Sequence, residues 1–339
     1  MDTLLRVVLV IVGLIGLFVY FRSVVRVTLL NRRERDALSR AACFLAVSSI
    51  QRFTADRRDY VDIQRSQAWI LPLFILLSIV SWFLLVQISF GFILWGLKAE
   101  ASLPYALSAS GSALSTLGFK TPPTLLGEFL AIFEAAIGLV IVVLLFSFAP
   151  GYLAAVRTRE RKVGWLYART GHNPTCASLV TALEQADKVA DTAVWEDWEA
   201  WFRGILETHS ISPILAYAPS IYRGTNWVGA AAAVLDSASL VIATLDLRQV
   251  NAAHICRHTG IAALNLISNE LPVILPKAKS EQGGQAAIDF DKLYETLAAS
   301  GLPVDSDKEK CRQAFASLRA EYEPSLLRIS ASTRMPIHR

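Results

Sequence analysis

Three long apolar segments interrupt an otherwise mixed sequence. They cover residues 7–21, 68–97 and 129–156, and the last two contain a single charged residue, Glu134. A helix of about 20 apolar residues spans a bilayer, so the second and third segments are long enough to cross. The first segment is shorter, but arginines flank it and can reach the interfaces. The pattern therefore predicts three membrane-spanning helices.

The first segment allows two interpretations, a cleaved signal peptide or a permanent anchor. A signal peptide ends in a cleavage site made of small residues. No such site follows Phe21, and the next residues are basic. We therefore expect residues 1–22 to form an uncleaved transmembrane anchor.

Basic residues are distributed unevenly around the apolar segments. Ten arginines lie between the first two segments, and four basic residues follow the third, whereas the stretch between the second and third holds only Lys98 and Lys120. Because basic residues concentrate in cytoplasmic loops, the N-terminus and residues 98–127 are expected outside, and residues 23–67 and the C-terminal region in the cytoplasm. This predicts a multi-pass protein of the inner or plasma membrane.

The basic linker, residues 23–67, also carries an apolar stripe at helical spacing. Its members are Leu38, Ala41, Ala42, Leu45, Ala46 and Ile50. The spacing predicts an amphipathic helix. Two placements fit it, on the membrane surface or packed against the cytoplasmic region.

Composition agrees with a membrane protein. The 339 residues are 53% apolar and 18% charged, with a mean hydropathy of +0.42. Soluble domains are usually about 45–50% apolar and about 25% charged. The net charge of +4 does not argue for nucleic-acid binding. Four scattered cysteines without a CxxC pair indicate reduced thiols rather than a disulfide framework.

The stretch between the second and third segments is too apolar for an ordinary solvated loop. Residues 103–117 are small, apolar and hydroxylic, and Pro104 suits a first helical turn. Gly118 and then Pro122-Pro123 break the helix. We expect residues 103–123 to enter the membrane as a half-length helix and return, because irregular backbone at that depth must line water or be buried in protein. This arrangement predicts a pore.

Ser115-Thr116-Leu117-Gly118-Phe119 resembles the first half of the TVGYG-type selectivity filter of the two-transmembrane ion-channel superfamily, the potassium channels and their relatives. The likeness continues through residues 125–140, which resemble bacterial inner helices, and it extends over roughly residues 68–157. It implies an outer helix over 68–97, a pore helix and filter loop over 103–123, and an inner helix over 128–157.

The resemblance also implies roles for individual residues. Backbone carbonyls of residues 116–119 and the Thr116 hydroxyl would coordinate monovalent cations, K⁺ by default, and Phe119 would pack on the pore helix. Ser115 and Glu134 would support the filter. Gly138 would be a gating hinge or a close packing contact between helices. One chain supplies one pore loop, so a fourfold filter implies a homotetramer.

Lys120 departs from the family pattern. Glycine is expected there because it adopts backbone conformations that side chains forbid, and four lysines around a fourfold mouth would repel cations. In another alignment, Gly118 followed by Thr121-Pro122-Pro123 is similar to the shortened, poorly selective filters of cyclic-nucleotide-gated channels. Potassium selectivity, nonselective conduction and lost conduction all stay open.

Residues 163–328 predict a helical cytoplasmic domain, followed by a flexible tail over 329–339. Helices are expected near 172–189, 195–206, 227–245, 252–267, 286–299 and 308–326, with a break at Gly283-Gly284. No GxGxxG or Walker sequence indicates a nucleotide-sensing domain. An unknown protein or ligand is a conceivable partner of this domain.

Chemistry-bearing residues of this domain form no convincing catalytic or metal site in the sequence. His254 and His258 have the i, i+4 spacing of metal ligands, but a polar helix face explains them without further ligands. A nucleophile at Ser220 or Cys256 lacks identifiable partners. We therefore predict no catalytic residue, no metal, no cofactor and no enzyme activity.

Together these patterns predict an all-α membrane protein. It comprises an N-terminal anchor helix, a two-helix plus re-entrant pore-helix module and a C-terminal helical cytoplasmic domain. The first functional hypothesis is a homotetrameric, channel-like protein that passively conducts cations. The alternative is a membrane-anchored cytoplasmic sensor or scaffold that conducts no ions.

Overall fold

The computed structural model describes residues 2–29, 36–171, 174–189, 191–245, 250–271, 288–299 and 301–338. Over these residues the protein is helical and has no strand. An isolated bridge joins Leu245 and Val304. The prediction of an all-helical protein is confirmed for the described part of the chain.

The helices follow one another in a simple order. The first six are α1 (Asp2–Val24), α2 (Ala37–Phe53), α3 (Tyr60–Gln67), α4 (Ile70–Gly96), α5 (Leu103–Leu114) and α6 (Leu125–Thr170). The remaining seven are α7 (Cys176–Gln185), α8 (Thr192–Ile211), α9 (Trp227–Thr244), α10 (Asn251–Glu270), α11 (Phe290–Ala299), α12 (Lys308–Ala320) and α13 (Glu323–Thr333). A π-helical turn at Val25–Leu29 follows α1, and a 3₁₀ segment at Pro213–Tyr217 follows α8.

Four described stretches are long and apolar enough to cross a membrane, and they contain α1, α4, α6 and α9. The first three expose most of their apolar residues, as lipid-facing helices do. In contrast, α9 is almost entirely buried within the protein. We therefore assign α9 to a protein core and α1, α4 and α6 to the membrane.

The chain forms two compact units. Unit 1 comprises Met1–Val47 and Pro72–Leu153, and unit 2 comprises Ser48–Leu71 and Ala154–Arg339. The linker predicted over residues 23–67 is divided between the two units. Its second part belongs to unit 2, because Ile63 and Gln67 of α3 are buried there.

The core of unit 1 lies where α1, α4, α5 and α6 meet, and it includes Tyr20, Trp82, Phe90, Leu114 and Ile137. Small residues bring α1 close to α4. A Cβ atom on Gly16 would lie 2.1 Å from Ser89 Oγ, and one on Gly13 would lie 2.6 Å from the Ser89 carbonyl oxygen. Thus α1 packs along α4 and is not an isolated anchor.

The core of unit 2 is built largely from α8, α9 and α10. Its largest side chains are fully buried aromatic residues, namely Trp195, Trp198, Phe202, Tyr217 and Trp227. Gly260 on α10 lets the helices approach, since a Cβ there would lie 2.8 Å from Leu235 Cδ2. This dense aromatic packing makes unit 2 a folded domain with its own interior.

The amphipathic stripe of the linker is split between two surfaces of α2. Ala42 and Ala46 are buried, whereas Leu45 and the neighbouring Phe44 are exposed. The C-terminal part of α2 lies in unit 2, where Gln51 donates a hydrogen bond to the Ser332 carbonyl at 2.7 Å. The last turn of α2 is therefore bonded to a residue of α13, through a side chain that lies outside the apolar stripe.

The described residues of the tail that the sequence predicts to be flexible, 329–338, are packed against other parts of unit 2. Ile329, Thr333 and Met335 are fully buried. Arg334 donates to the Thr54 carbonyl at 2.7 Å and to the Arg57 carbonyl at 2.8 Å. Residues 329–338 thus close unit 2 against the segment that precedes α4.

Two helix boundaries also differ from the prediction. The inner helix expected over 128–157 continues to Thr170 as one helix, because buried Val163 and Leu166 extend it after the apolar run ends. The helix expected over 308–326 divides into α12 and α13, with Pro324 in the first turn of α13. The helix start predicted at His172-Asn173 and the break at Gly283-Gly284 lie outside the described residues.

Candidate functional site

The filter-like residues form the C-terminal cap of α5 and the irregular segment that follows it. Thr116 N donates to the Ala113 carbonyl at 2.9 Å, and Leu117 N donates to the Ser112 carbonyl at 3.0 Å. These two bonds make a Schellman motif, which requires a left-handed residue. Thr116 fills that position with φ +58°, and Gly118 is also left-handed at φ +68°.

The backbone after α5 lies on the surface of the single chain. Thr116, Leu117, Gly118 and Phe119 are all exposed. Phe119 is 69% exposed in the single chain, whereas the resemblance implies that it packs on the pore helix. We call residues 115–120 the exposed strip.

Lys120 is held against the first turn of α5. Its Nζ donates to the Tyr105 carbonyl at 3.1 Å and lies 3.8 Å from the centre of the Tyr105 ring. Its backbone N donates to Ser112 Oγ at 2.9 Å. The strip therefore runs back alongside α5, and the lysine charge is partly balanced by a carbonyl and a π face.

Glu134 lies inside unit 1 and contacts α5, not the exposed strip. Its side chain is fully buried, and Oε1 accepts a 2.5 Å hydrogen bond from Ser110 Oγ. Ser110 Oγ is also 2.9 Å from the Gln87 carbonyl oxygen. Within the described residues, Oε2 has no hydrogen-bond partner. Glu134 thus belongs to a polar connection between α4, α5 and α6.

The Ser115 side chain bonds to the backbone at the C-terminal end of α5. Its hydroxyl donates to the Gly111 carbonyl at 2.6 Å, one turn earlier in α5. Gly138 lies beside the same end of α5, where a Cβ would be 1.9 Å from the Leu114 carbonyl oxygen. Gly138 is therefore a point of backbone contact between α6 and α5, which is one of the two roles the sequence allowed.

Sequence reasoning missed the contribution of Gln87. Its Nε2 donates to the Leu107 carbonyl at 3.3 Å, and it lies 2.6 Å from the Cβ position of Gly111. A lone glutamine in a segment without charges was the available signal, because an amide in the membrane needs partners. Gly91 adds a second close contact, with its Cβ position 2.5 Å from Leu107 Cδ2.

Unit 2 contains a separate buried polar cluster that the sequence did not reveal. Arg159 and Glu160 are almost completely buried and form an ion pair at 2.8 Å. Arg159 also donates to the carbonyls of Leu215 at 2.9 Å and Ala218 at 2.7 Å. These bonds join the last turns of α6 to the segment after α8.

His209 completes this cluster. Its Nε2 lies 3.2 Å from Arg159 Nη1. Because arginine only donates, Nε2 accepts, and the ring proton lies on Nδ1, 2.9 Å from Thr208 Oγ1. Burial lowers the pKa of His209 well below 6.5, and the Arg159 charge lowers it further. His209 is therefore neutral in the folded protein.

The described residues contain no group of three or more His, Cys, Asp or Glu side chains arranged to hold a metal ion. His254 and His258 are both exposed on α10, and Cys256 is buried between them. No family model, no curated protein and no solved structure matches this chain. The likeness to potassium channels therefore remains a prediction from residues 68–157.

Proposed function

We propose that this membrane protein assembles as a homotetramer around a passage for monovalent cations, with K⁺ the default ion by resemblance. In this arrangement α4 is the outer helix, α5 the pore helix and α6 the inner helix. The exposed strip lines the narrowest part. The N-terminus and residues 98–127 face outward, and unit 2 faces the cytoplasm of a cell with the protein in its inner or plasma membrane.

The observation that carries the proposal is a half-length helix held between two long apolar helices. The 12 residues of α5 are about 18 Å long, too short for a hydrocarbon layer of about 30 Å. Ala106, Ala109 and Ser110 are fully buried against unit 1. In the proposed arrangement the chain reversal after this helix lies at membrane depth, where it needs water or protein.

Exposure of the strip supports fourfold assembly. Residues 116–119 are exposed in one chain, although the backbone N–H groups of Thr116 and Leu117 bond to α5, and α6 exposes Phe129, Ile132 and Phe146. Copies arranged around a closed axis would bury such surfaces. Phe119 would then pack on a neighbouring copy rather than on its own α5.

Ion flux and subunit number test the proposal together. Purified protein is reconstituted in liposomes, K⁺ and Na⁺ efflux are measured, and native mass spectrometry counts the chains. We expect four chains and passive cation flux. A stable monomer or dimer would contradict the fourfold passage.

A glycine pair provides the matched control. Gly118 and Gly171 both have positive φ, and both have open space at the Cβ position. Gly118→Ala and Gly171→Ala therefore introduce similar backbone strain, but only the first does so in the strip. We expect flux to change in Gly118→Ala and to be retained in Gly171→Ala.

The alternative function is a membrane-anchored sensor or scaffold. Lys120 favours it, since a positive charge beside the strip opposes cation entry. The independent aromatic core of unit 2 also suits a domain that works without ion flow. Absence of K⁺ and Na⁺ flux from a verified tetramer would favour this alternative.

A further inference from the structure

A bulky exposed tip stands out in the otherwise buried segment between α8 and α9. Ile221 is 66% exposed, Tyr222 is 53% exposed, and Arg223 is also exposed. Tyr217 and Trp227 on either side are fully buried. We call residues 221–223 the exposed tip.

The tip is held in place by a buried amide. Gln64 on α3 donates through Nε2 to the Ser220 and Tyr222 carbonyls, both at 2.8 Å, and its Oε1 accepts from Gly224 N at 2.9 Å. Gly224 supplies the positive φ of +76° that the turn needs. A buried glutamine thus fixes an apolar and aromatic tip in an exposed conformation.

A second contact fixes Tyr222. Its ring lies against Gly164 on α6, where a Cβ would be 2.7 Å from Tyr222 Cε2. Only glycine allows this approach. The tip is therefore bonded to one helix that leads into the membrane and packed against another.

Chain length places the anchors of the tip close to the bilayer. Gln64 precedes the start of α4 at Ile70 by six residues, about 9 Å at the helical rise. Gly164 follows the last apolar residue of the third segment, Val156, by eight residues, or about 12 Å. The polar headgroup layer is roughly 5–8 Å thick on each side. Long side chains at the tip can cover the remaining distance.

The residue types match a lipid surface. Trp69, immediately before α4, is 67% exposed. Tryptophan and tyrosine are enriched where membrane proteins cross the interface, and an arginine guanidinium binds a lipid phosphate with two hydrogen bonds. Three residues are too few for a stable protein interface, which buries about 1,200 Å² or more.

We propose that residues 221–223 bind the headgroup layer of the bilayer that holds α4 and α6. Ile221 and Tyr222 insert at the boundary between headgroups and acyl chains, and Arg223 binds the phosphate of an anionic lipid. The tip ties unit 2 to the membrane at a point outside the spanning helices. This assignment does not depend on cation conduction.

A fluorescent label at position 221 tests the proposal in the full-length protein. Cys43 is the one partly exposed thiol and is replaced by serine, while Cys176, Cys256 and Cys311 are buried. Ile221→Cys is labelled with an environment-sensitive dye, and the protein is placed in nanodiscs with or without spin-labelled lipids that quench the dye. Ile255→Cys on α10 is the matched control, because Ile255 is 47% exposed.

We expect quenching at position 221 to exceed that at position 255 by about threefold or more. Quenching at 221 should increase in bilayers with anionic lipid, and Arg223→Gln should remove this increase. Equal quenching at the two positions would overturn the proposal. A label at 221 that is shielded from water but not quenched by lipid would overturn it too, since a second chain would then cover the tip. Equal quenching in neutral and anionic bilayers would overturn the assignment of Arg223 to an anionic lipid.

Discussion

The Leu114 carbonyl oxygen occupies the space that a side chain on Gly138 would need. A Cβ atom there would lie 1.9 Å from that oxygen, far inside van der Waals contact. The N-terminal third of α6 therefore touches the last residue of α5 backbone to backbone. Any side chain at position 138 must push α5, and with it the exposed strip, away from α6.

Gly138→Ala should destabilise unit 1 and displace the exposed strip. Overpacking of this kind typically costs about 1–3 kcal/mol. Thermal unfolding in detergent should show a lower midpoint, and cation flux should change if the strip lines a passage. Gly151→Ala on the same helix is the control, since no atom lies within 4 Å of its Cβ position. Equal midpoints for the two variants would refute the contact.

Lys120→Gly tests whether the exposed strip lines the path of the permeating cations. If four Lys120 side chains surround a cation path, removing them should raise cation flux or change the K⁺/Na⁺ ratio. Lys98→Gly is the matched control, because Lys98 is the other lysine of the predicted outer stretch and is exposed. If the protein is a scaffold, or if the exposed strip lies away from the ion path, neither substitution should change cation flux.

Arg334→Ala should destabilise unit 2, although the residue is only five positions from the end of the chain. It removes hydrogen bonds to the Thr54 carbonyl, Thr54 Oγ1 and the Arg57 carbonyl. Losing partners of buried acceptors costs about 1–3 kcal/mol. Arg328→Ala is the control, since Arg328 is exposed on α13. Limited proteolysis should cleave the C-terminal residues faster in Arg334→Ala alone. Identical cleavage in both variants would mean that the bonds of Arg334 to Thr54 and Arg57 do not hold the C-terminal residues in place.

His209 should make unit 2 less stable at acidic pH. Its folded pKa is well below 6.5, so only the unfolded chain binds a proton as the pH falls through about 6.5. Stability is therefore complete above that pH and declines below it, by at most about 1.4 kcal/mol per pH unit. Unfolding midpoints measured from pH 7.5 to 5 should show this decline.

His209→Gln separates this effect from other titrations. Glutamine can accept the Arg159 hydrogen bond but cannot take up a proton, so the decline should become shallower. Partial burial also lowers the pKa of His338, which adds a slope of the same sign. His338→Gln is the comparison that measures that second contribution. An unchanged pH profile in His209→Gln would exclude His209 as a source of the acid sensitivity.

The membrane helices could be predicted because their signal is local. Runs of apolar residues fix α1, α4 and α6, and Pro104 and Gly118 mark the limits of the short helix between them. The sequence predicts a helix of the C-terminal domain over 227–245. The corresponding α9 is long and apolar enough to cross a membrane, yet it is almost entirely buried within the protein.

Contacts between distant residues could not be predicted. Arg159 looked like one more basic residue after a membrane span, yet it is buried with Glu160 and His209. The prediction of a flexible tail rests on its terminal position, which does not reveal the hydrogen bonds that join Gln51 and Thr54 to residues about 280 positions away. The exposed strip could be predicted in part. The apolar pattern predicts its position between two spans, but it does not predict the left-handed backbone of Thr116 or the contact between Lys120 and Tyr105.

The hydrogen bonds between residues 51–57 and residues 332–334 also constrain the order in which unit 2 folds. Gln51 and Thr54 leave the ribosome about 280 residues ahead of their partners Ser332 and Arg334. Domains generally fold as they emerge, N-terminal parts first. These contacts of unit 2 cannot form until Arg334 has been synthesised, so residues 51–54 gain them only after about 280 further residues. A chain that terminates before Ser332 would therefore lack the hydrogen bonds that join residues 51–57 to residues 332–334.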